Sequence, residues 1–246
     1  VSSPTAMTFA NILATRLRHE PGRPLVTFYD DATGERVELS VTTYANWVAK
    51  ASSLLLDELG LDKGDGLYVD LPPHWLTTVF LGAAWNGGLV VTDSADIAEA
   101  VVCGPATLAD YAGTVGERTV LACSLLPLGV RFPDGVPEGV HDVGVEIWSQ
   151  PDEFTAWDTP LGEDAALSIA GALITQEAVW RAATAGELIP DGGRLLTDAN
   201  PASPPGVATL CEPLARGGSL VLVAQAAPSR LEEIAVSEQV TNRFPA

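Results

Sequence analysis

Residues 66–91 read GLYVDLPPHWLTTVFLGAAWNGGLVV. Leu67 to Leu71 is a short apolar strand, and it stops at Pro72-Pro73 because proline cannot donate to a ladder. From His74 to Asn86, Leu76, Val79, Phe80 and Ala83 recur at helical spacing and face inward. Gly87-Gly88 ends that helix, and Leu89 to Thr92 is a second strand. Strand, helix and strand in so short a compass predict a crossover unit with parallel pairing.

The flanks keep the alternation. Phe9, Ile12, Leu13 and Leu17 mark a helix over 8–20, capped by Thr8 and stopped at Pro21-Gly22. PLVTFYD (24–30) and ERVELS (35–40) are two strands joined by a turn at 31–34. A helix entered at Thr43 follows, with Trp47, Ala51, Leu54, Leu55 and Leu59 on one side and Gly60 just past its end. Beyond the quoted stretch come a buried strand near 100–104, a helix over 106–112 and a strand at 118–124. Residues 125–158 are rich in Gly, Pro and Asp, weakly periodic, and hold Trp148 and Trp157. They predict an irregular connection between a first α/β lobe, 1–124, and a second, 159–246, packed on it. The second lobe reads as strand 165–170, helix 175–185, strand 194–197, a Pro-rich loop, a helix through Leu214, strand 219–224, helix 229–238 and strand 240–244.

The 246 residues are 47% hydrophobic, which excludes a disordered chain and leaves ample volume for a core. No apolar run reaches the roughly 18 residues of a spanning helix, and no charged-then-apolar leader opens the sequence, so a soluble cytoplasmic protein is expected. Lys and Arg number 13 against 32 Asp and Glu, a net charge of −19. A surface of that sign repels phosphate backbones and anionic lipid, so neither nucleic acid nor a membrane is an expected partner. The only lysines are Lys50 and Lys63.

Cys103, Cys123 and Cys211 are odd in number, far apart and set among apolar residues, which predicts buried reduced thiols. His19, His74 and His141 are scattered, without HxxxH or HExxH spacing, so no metal site is expected. GxxxxGKS, GxxxxGKT, GxGxxG and GxSxG are absent. Adjacent acids such as Asp30-Asp31, Asp57-Glu58 and Glu232-Glu233 arise by chance among so many carboxylates and read as solvated faces. The tryptophans read as packing residues rather than a ligand wall.

In order and spacing, residues 23–91 resemble the opening of the adenylate-forming superfamily, the AMP-binding acyl-CoA synthetases and their relatives. The matching features are the short hairpin, Thr43-Tyr44 at a helix entry, Leu59-Gly60 and Gly64-Asp65 at a turn, Leu71-Pro72 closing a strand, and Asn86-Gly87-Gly88 before the next strand. GRLLTDANPASPPGVATLCEPLARGGSLVLV (193–223) and RLEEIAVSEQVT (230–241) resemble later segments of the same family. The resemblance spans about 1–95 and 160–243. It implies an α/β fold of layered mixed sheets with flanking helices, like the N-terminal lobe of acyl-CoA synthetases. The sequence ends at Ala246, ahead of where the family's YGxTE and TGD motifs and its lysine-bearing C-terminal domain would fall.

The resemblance also implies a loop, TSGTTGxPKG, leading into a Thr-His helix entry, whose amides, hydroxyls and lysine hold the ATP phosphates. Here the corresponding stretch is GEDAALSIAGALITQEAV (162–179). Gly171 to Thr175 stands for the end of the motif, and Gln176 replaces the histidine. Ahead of it lie one hydroxyl, Ser168, no lysine, and two acids, Glu163 and Asp164. Ser203 falls where the family's Phe-His histidine would be. One oxyanion donor is worth roughly 3–4 kcal/mol in a transition state, so the loss of several leaves little catalysis.

The expectation is therefore a degenerate, non-catalytic member of the superfamily, acting as a binding or regulatory module. It needs no cofactor and has a small molecule or another protein as partner. One alternative is an active ATP-dependent acid–CoA ligase or adenylate- or thioester-processing enzyme, which would use ATP, AMP or CoA. A second is an unrelated α/β scaffold protein; the family reading expects residues 67–71, 89–92 and 219–224 to share a sheet. Open α/β sheets leave a crevice at the carboxyl ends of their strands, expected here near Ser168, Gly171, Thr175, Ser203 and Gly206. Each also has a plain structural role, Thr175 as a helix cap and Gly171 and Gly206 as permissive backbone.

Overall fold

A computed structural model describes residues 7–245. In chain order its elements are α1 (Phe9–His19), β1 (Pro24–Asp30), β2 (Glu35–Ser40), α2 (Val41–Ser53), β3 (Gly66–Asp70), α3 (Trp75–Gly87), β4 (Val90–Thr92) and β5 (Ala100–Cys103). There follow α4 (Leu108–Tyr111), β6 (Thr119–Ala122), β7 (His141–Asp142), α5 (Val143–Glu146), β8 (Ala165–Ile169), β9 (Ala172–Thr175) and α6 (Gln176–Ala185). The last are β10 (Arg194–Thr197), α7 (Val207–Ala215), β11 (Ser219–Ala224), α8 (Pro228–Ser237) and β12 (Asn242–Phe244).

The strands form a five-stranded sheet, β12-β10-β11-β1-β2, and a seven-stranded sheet, β7-β6-β5-β3-β4-β8-β9. Pairing is parallel except in the β1–β2 and β8–β9 hairpins, so both sheets are mixed, as the sequence implied. Strand alternation assigns the layers. Val26, Phe28, Leu220 and Leu222 from the first sheet and Leu67, Val69, Ala100 and Val102 from the second belong to one core. The other strand faces carry separate clusters: Val101, Cys103, Val120 and Ala122 with α4, and Leu196, Val221 and Val223 with α8.

α3 lies in the middle layer and touches strands of both sheets. Every residue from Trp75 to Gly87 is buried except Asn86, which is what an apolar-all-round sequence requires. His74 caps its start, and Gly88, at φ 80°, ends it in the left-handed conformation that glycine adopts without a Cβ penalty. Arg16 of α1 ties the ends of the chain together, donating to the carbonyls of Pro213 and Leu214 at the end of α7 and to that of Gly218.

Three local expectations change. Ser40, not Thr43, caps α2, accepting the Thr43 amide at 3.1 Å. The helix expected over 106–112 is a single α-turn, α4, followed by a 3-10 turn, Ala112–Thr114. The 125–158 stretch contains β7, an edge strand parallel to β6, and does not divide the molecule into lobes. The chain leaves the first sheet after β2, builds all of the second, and returns for β10, β11 and β12, so each sheet draws strands from both sides of that stretch. For the same reason residues 67–71 and 89–92 share a sheet while β11 lies in the other. Local periodicity reveals strands but not which distant strand completes a parallel pair. No helix among the described residues is long and apolar enough to cross a membrane.

Candidate functional site

The stretch aligned with a phosphate loop is a tight hairpin. Ile169 pairs with Ala172, leaving only Ala170 and Gly171 to turn, at φ 49° and 78°. Positive φ at both positions is the two-residue turn whose twist matches the strands. The Ala170 amide donates to the Asp93 carboxylate at 2.7 Å.

The start of α6 is equally occupied. Gln176 N–H donates to the Asp164 carbonyl at 2.8 Å and Glu177 N–H to that of Gly162 at 2.9 Å. Ala178 N–H goes to the Thr175 hydroxyl at 3.2 Å, so Thr175 is the helix cap. The amides a helix N-terminus would offer an anion are bonded within the chain. Ser168 is buried and faces a cavity of about 470 Å³ that also meets Lys63, Thr92, Glu99 and Asp164. Lys63 is held there by Asp158 at 2.9 Å and Asp164 at 3.3 Å.

The Asn200–Gly206 loop is self-contained as well. The Ser203 hydroxyl donates to the Asn200 carbonyl at 2.6 Å, and Gly206 N–H donates to the Ser203 carbonyl at 2.9 Å. Gly206 has φ −80°, so it is needed for space: a Cβ there would lie 1.8 Å from the Asn200 carbonyl oxygen. Beside this loop, Pro204, Val207, Leu167, Ile169, Ile174 and Val179 line an apolar cavity of about 270 Å³. Leu167 and Ile169 project into it, whereas Ser168 faces the other cavity. The five expected residues therefore do not converge on one site.

A crevice does persist at carboxyl ends of parallel strands, but elsewhere. A cavity of about 450 Å³ is lined by Phe28 and Asp30 from β1, Pro72 and His74 after β3, Asp198 after β10 and Gln225 after β11. His74 is 4% exposed, and its ring meets Phe28 edge-on with centroids 4.7 Å apart. Its Nδ1 accepts the Leu76 amide at 3.2 Å, capping α3. Burial pulls its pKa down to about 4 against the opposing charge of Asp30, so the ring is neutral at pH 7. With Nδ1 accepting, the proton sits on Nε2, and that atom has no hydrogen-bond partner among the described residues. Leu125 and Gln225, both at φ 57°, line the same crevice, and left-handed backbone at non-glycine residues concentrates at binding sites. Sequence reasoning passed over His74 as one of three scattered histidines; the usable signal was its place between Pro72-Pro73 and an apolar helix.

Elsewhere the expectation that the tryptophans pack holds only in part: Trp157 is 99% exposed, and Trp47, Trp75 and Trp148 line a cavity of about 480 Å³. Phe9, Trp85 and Trp180 cluster in the core, and Trp47 meets Trp75 and Trp148 edge-on at 4.9 and 5.3 Å. No group of three or more His, Cys, Asp or Glu that could hold a metal occurs among the described residues.

No family model matches the chain. It is 36% identical over 249 residues to a TIGR03089 family protein of Mycobacterium tuberculosis, a match covering 98% of this chain and 99% of that one. The chain belongs to the TIGR03089 family. The fold of this TIGR03089 member is that of the N-terminal lobe of adenylate-forming enzymes. It superposes on a Brucella canis acyl-CoA synthetase with TM-score 0.80 at 15% identity, covering 99% of this chain and 48% of that one. The anthranilate CoA ligase AuaEII, solved with anthranoyl-AMP, gives 0.74 at 14% identity, covering 98% and 49%. The N-terminal domain of FACL13 from Mycobacterium tuberculosis gives 0.71 at 15%, covering 95% and 61%. The TIGR03089 chain thus spans about half the length of the full ligases whose fold it shares.

Proposed function

We propose that this protein is a non-catalytic member of the adenylate-forming fold, a binding or regulatory module that does not activate carboxylic acids with ATP. One observation carries the reading: at the hairpin turn where a triphosphate would rest, the Ala170 amide is bonded to the protein's own Asp93 carboxylate. A phosphate entering there would displace one anion while facing others, and the first amides of α6 offer it nothing in return. Both lysines are ion-paired, Lys63 as above and Lys50 with Asp152 at 3.1 Å. Each absent donor forgoes roughly 3 kcal/mol of transition-state stabilisation. The net charge of −19 supports partners other than nucleic acid or anionic membrane.

ATP–pyrophosphate exchange against a panel of carboxylic acids tests this. The expected result is no exchange above a heat-inactivated control and no thermal shift with Mg-ATP. Exchange well above that control overturns the reading.

A further inference from the structure

The 125–158 stretch closes the cavity of about 480 Å³ against β2 and α2. Three tryptophans line it: Trp47 of α2, Trp75 at the start of α3, and Trp148, with Trp47 edge-on to both others. Gly129 lies against two of the rings, since a Cβ there would stand 3.6 Å from Trp75 and 3.7 Å from Trp47. Its neighbour Leu128 has φ 65°, a left-handed backbone that clusters at ligand sites when the residue is not glycine. Leu128 is 69% exposed and Trp148 53%, so two large apolar side chains of the lining face water. The four charged residues of the lining cancel: Arg36 pairs with Glu38 at 2.7 Å and Lys50 with Asp152 at 3.1 Å. The Asn46 side chain and Trp47 Nε1–H also line the cavity; neither makes a hydrogen bond among the described residues, and neither is shut off from solvent.

We propose that this cavity binds a neutral, planar aromatic molecule of two or three fused rings, held against Trp47 and Trp148. Aromatic rings gain from offset or edge-on contact beyond the area they bury, and a flat ligand would cover the apolar surface that Leu128 and Trp148 leave in water. Charge sets the rest of the chemistry. An anion would meet Glu38 and Asp152 in a chain of net charge −19, and a cation would meet Arg36 and Lys50. With both signs already paired, a neutral ligand breaks neither ion pair. Lys50 also donates to the Gln150 carbonyl, which leaves one of its three N–H groups, with the Asn46 amide, to orient a ligand's polar edge. The cavity shares no residue with the phosphate turn. Pyrophosphate exchange would therefore leave this inference standing, and an empty cavity would leave the phosphate turn as occupied as before.

Three probes on one ring separate the charge requirements: neutral quinoline-6-carboxamide, anionic quinoline-6-carboxylate and the ammonium form of 6-(aminomethyl)quinoline. Calorimetric titration gives the affinity in every variant, and the indole 1H–15N signals of the wild type locate the ligand. Trp148→Ala removes one wall at a half-exposed position and keeps the Trp47 signal, while Trp157→Ala, at a fully exposed position, is the control. The expected result is saturable binding of the carboxamide that shifts Trp47 and Trp148 but not Trp157. Trp148→Ala should weaken it about tenfold or more, Trp157→Ala should leave it unchanged, and the two charged probes should bind at least about tenfold more weakly. No saturable binding of the carboxamide up to about 1 mM overturns the proposal. So does a charged probe that binds as tightly, a folded Trp148→Ala with unchanged affinity, or a shift confined to other indoles. A dimer that Trp148→Ala dissociates would give the cavity's rim to a second copy of the chain and overturn it equally.

Discussion

Gln176 Oε1 accepts the backbone amide of Phe9 at 3.1 Å, joining two residues 167 positions apart in the chain. The same oxygen accepts Trp180 Nε1–H at 3.0 Å, and Gln176 Nε2 donates to the Trp85 carbonyl at 2.9 Å. Phe9 opens α1 and has no earlier turn to bond, so a fully buried glutamine supplies what its helix cannot. This is the position where the family resemblance expects a histidine, and here it serves the core. Gln176→Leu leaves two buried N–H groups unpaired and should destabilise the protein by about 2–5 kcal/mol in urea titrations followed by tryptophan fluorescence.

His74 makes stability depend on pH in a defined window. Its pKa falls from 6.5 to about 4 on folding, because burial outweighs the pull of Asp30; Asp198 is the other charged group in the crevice. Between those values the unfolded chain binds a proton that the folded chain excludes. The contribution is therefore fully present above about pH 6.5 and is lost as pH falls towards 4, with an upper limit of roughly 3 kcal/mol. The stability difference between wild type and His74→Asn, measured by denaturant titration at several pH values, should shrink by up to that amount between pH 7 and 4. A pH-independent difference would show that the ring is not held neutral.

Gly171 and Gly206 should respond differently to alanine. Gly171 sits at φ 78° with open space where a Cβ would stand, so Gly171→Ala costs only left-handed strain, about 1 kcal/mol. In Gly206→Ala the new methyl would overlap the Asn200 carbonyl at 1.8 Å, and the whole Asn200–Gly206 loop must move. Its thermal midpoint should fall clearly further, and amide exchange should rise at Ser203 and Val207.

The thiols should be inert in the folded protein. Cys103, Cys123 and Cys211 are free and buried, and burial raises all three pKa values, that of Cys103 to about 12. Ellman's reagent at pH 8 should find no rapidly reacting thiol in native protein and three after denaturation. A fast native thiol would indicate that one of these sites opens readily.

Much of the fold was legible because its determinants are local. The 66–91 unit shows strand, proline stop, apolar helix, glycine stop and strand in sequence, and the structure follows it closely. Thr175 was readable as a cap from its place before an amphipathic helix. The partition of strands between two sheets was not, since β1 finds β11 only through tertiary packing. The candidate site was harder still. Ser168 and Ser203 looked like neighbours through the family pattern, yet strand alternation and a self-bonded turn separate them. The crevice that does form takes its residues from four strand ends, a convergence that exists only once both sheets are built.

That return of the chain to its first sheet also sets a schedule for biosynthesis. Val26 lies beside Leu220 in parallel register, so the β1–β2 hairpin emerges from the ribosome long before its neighbour. At about 5–20 residues per second, β1 waits on the order of 10–40 s with one edge bare. A nascent hairpin carrying Leu25, Val26 and Phe28 is an adhesive intermediate for that interval, and it is the species a holding chaperone would meet.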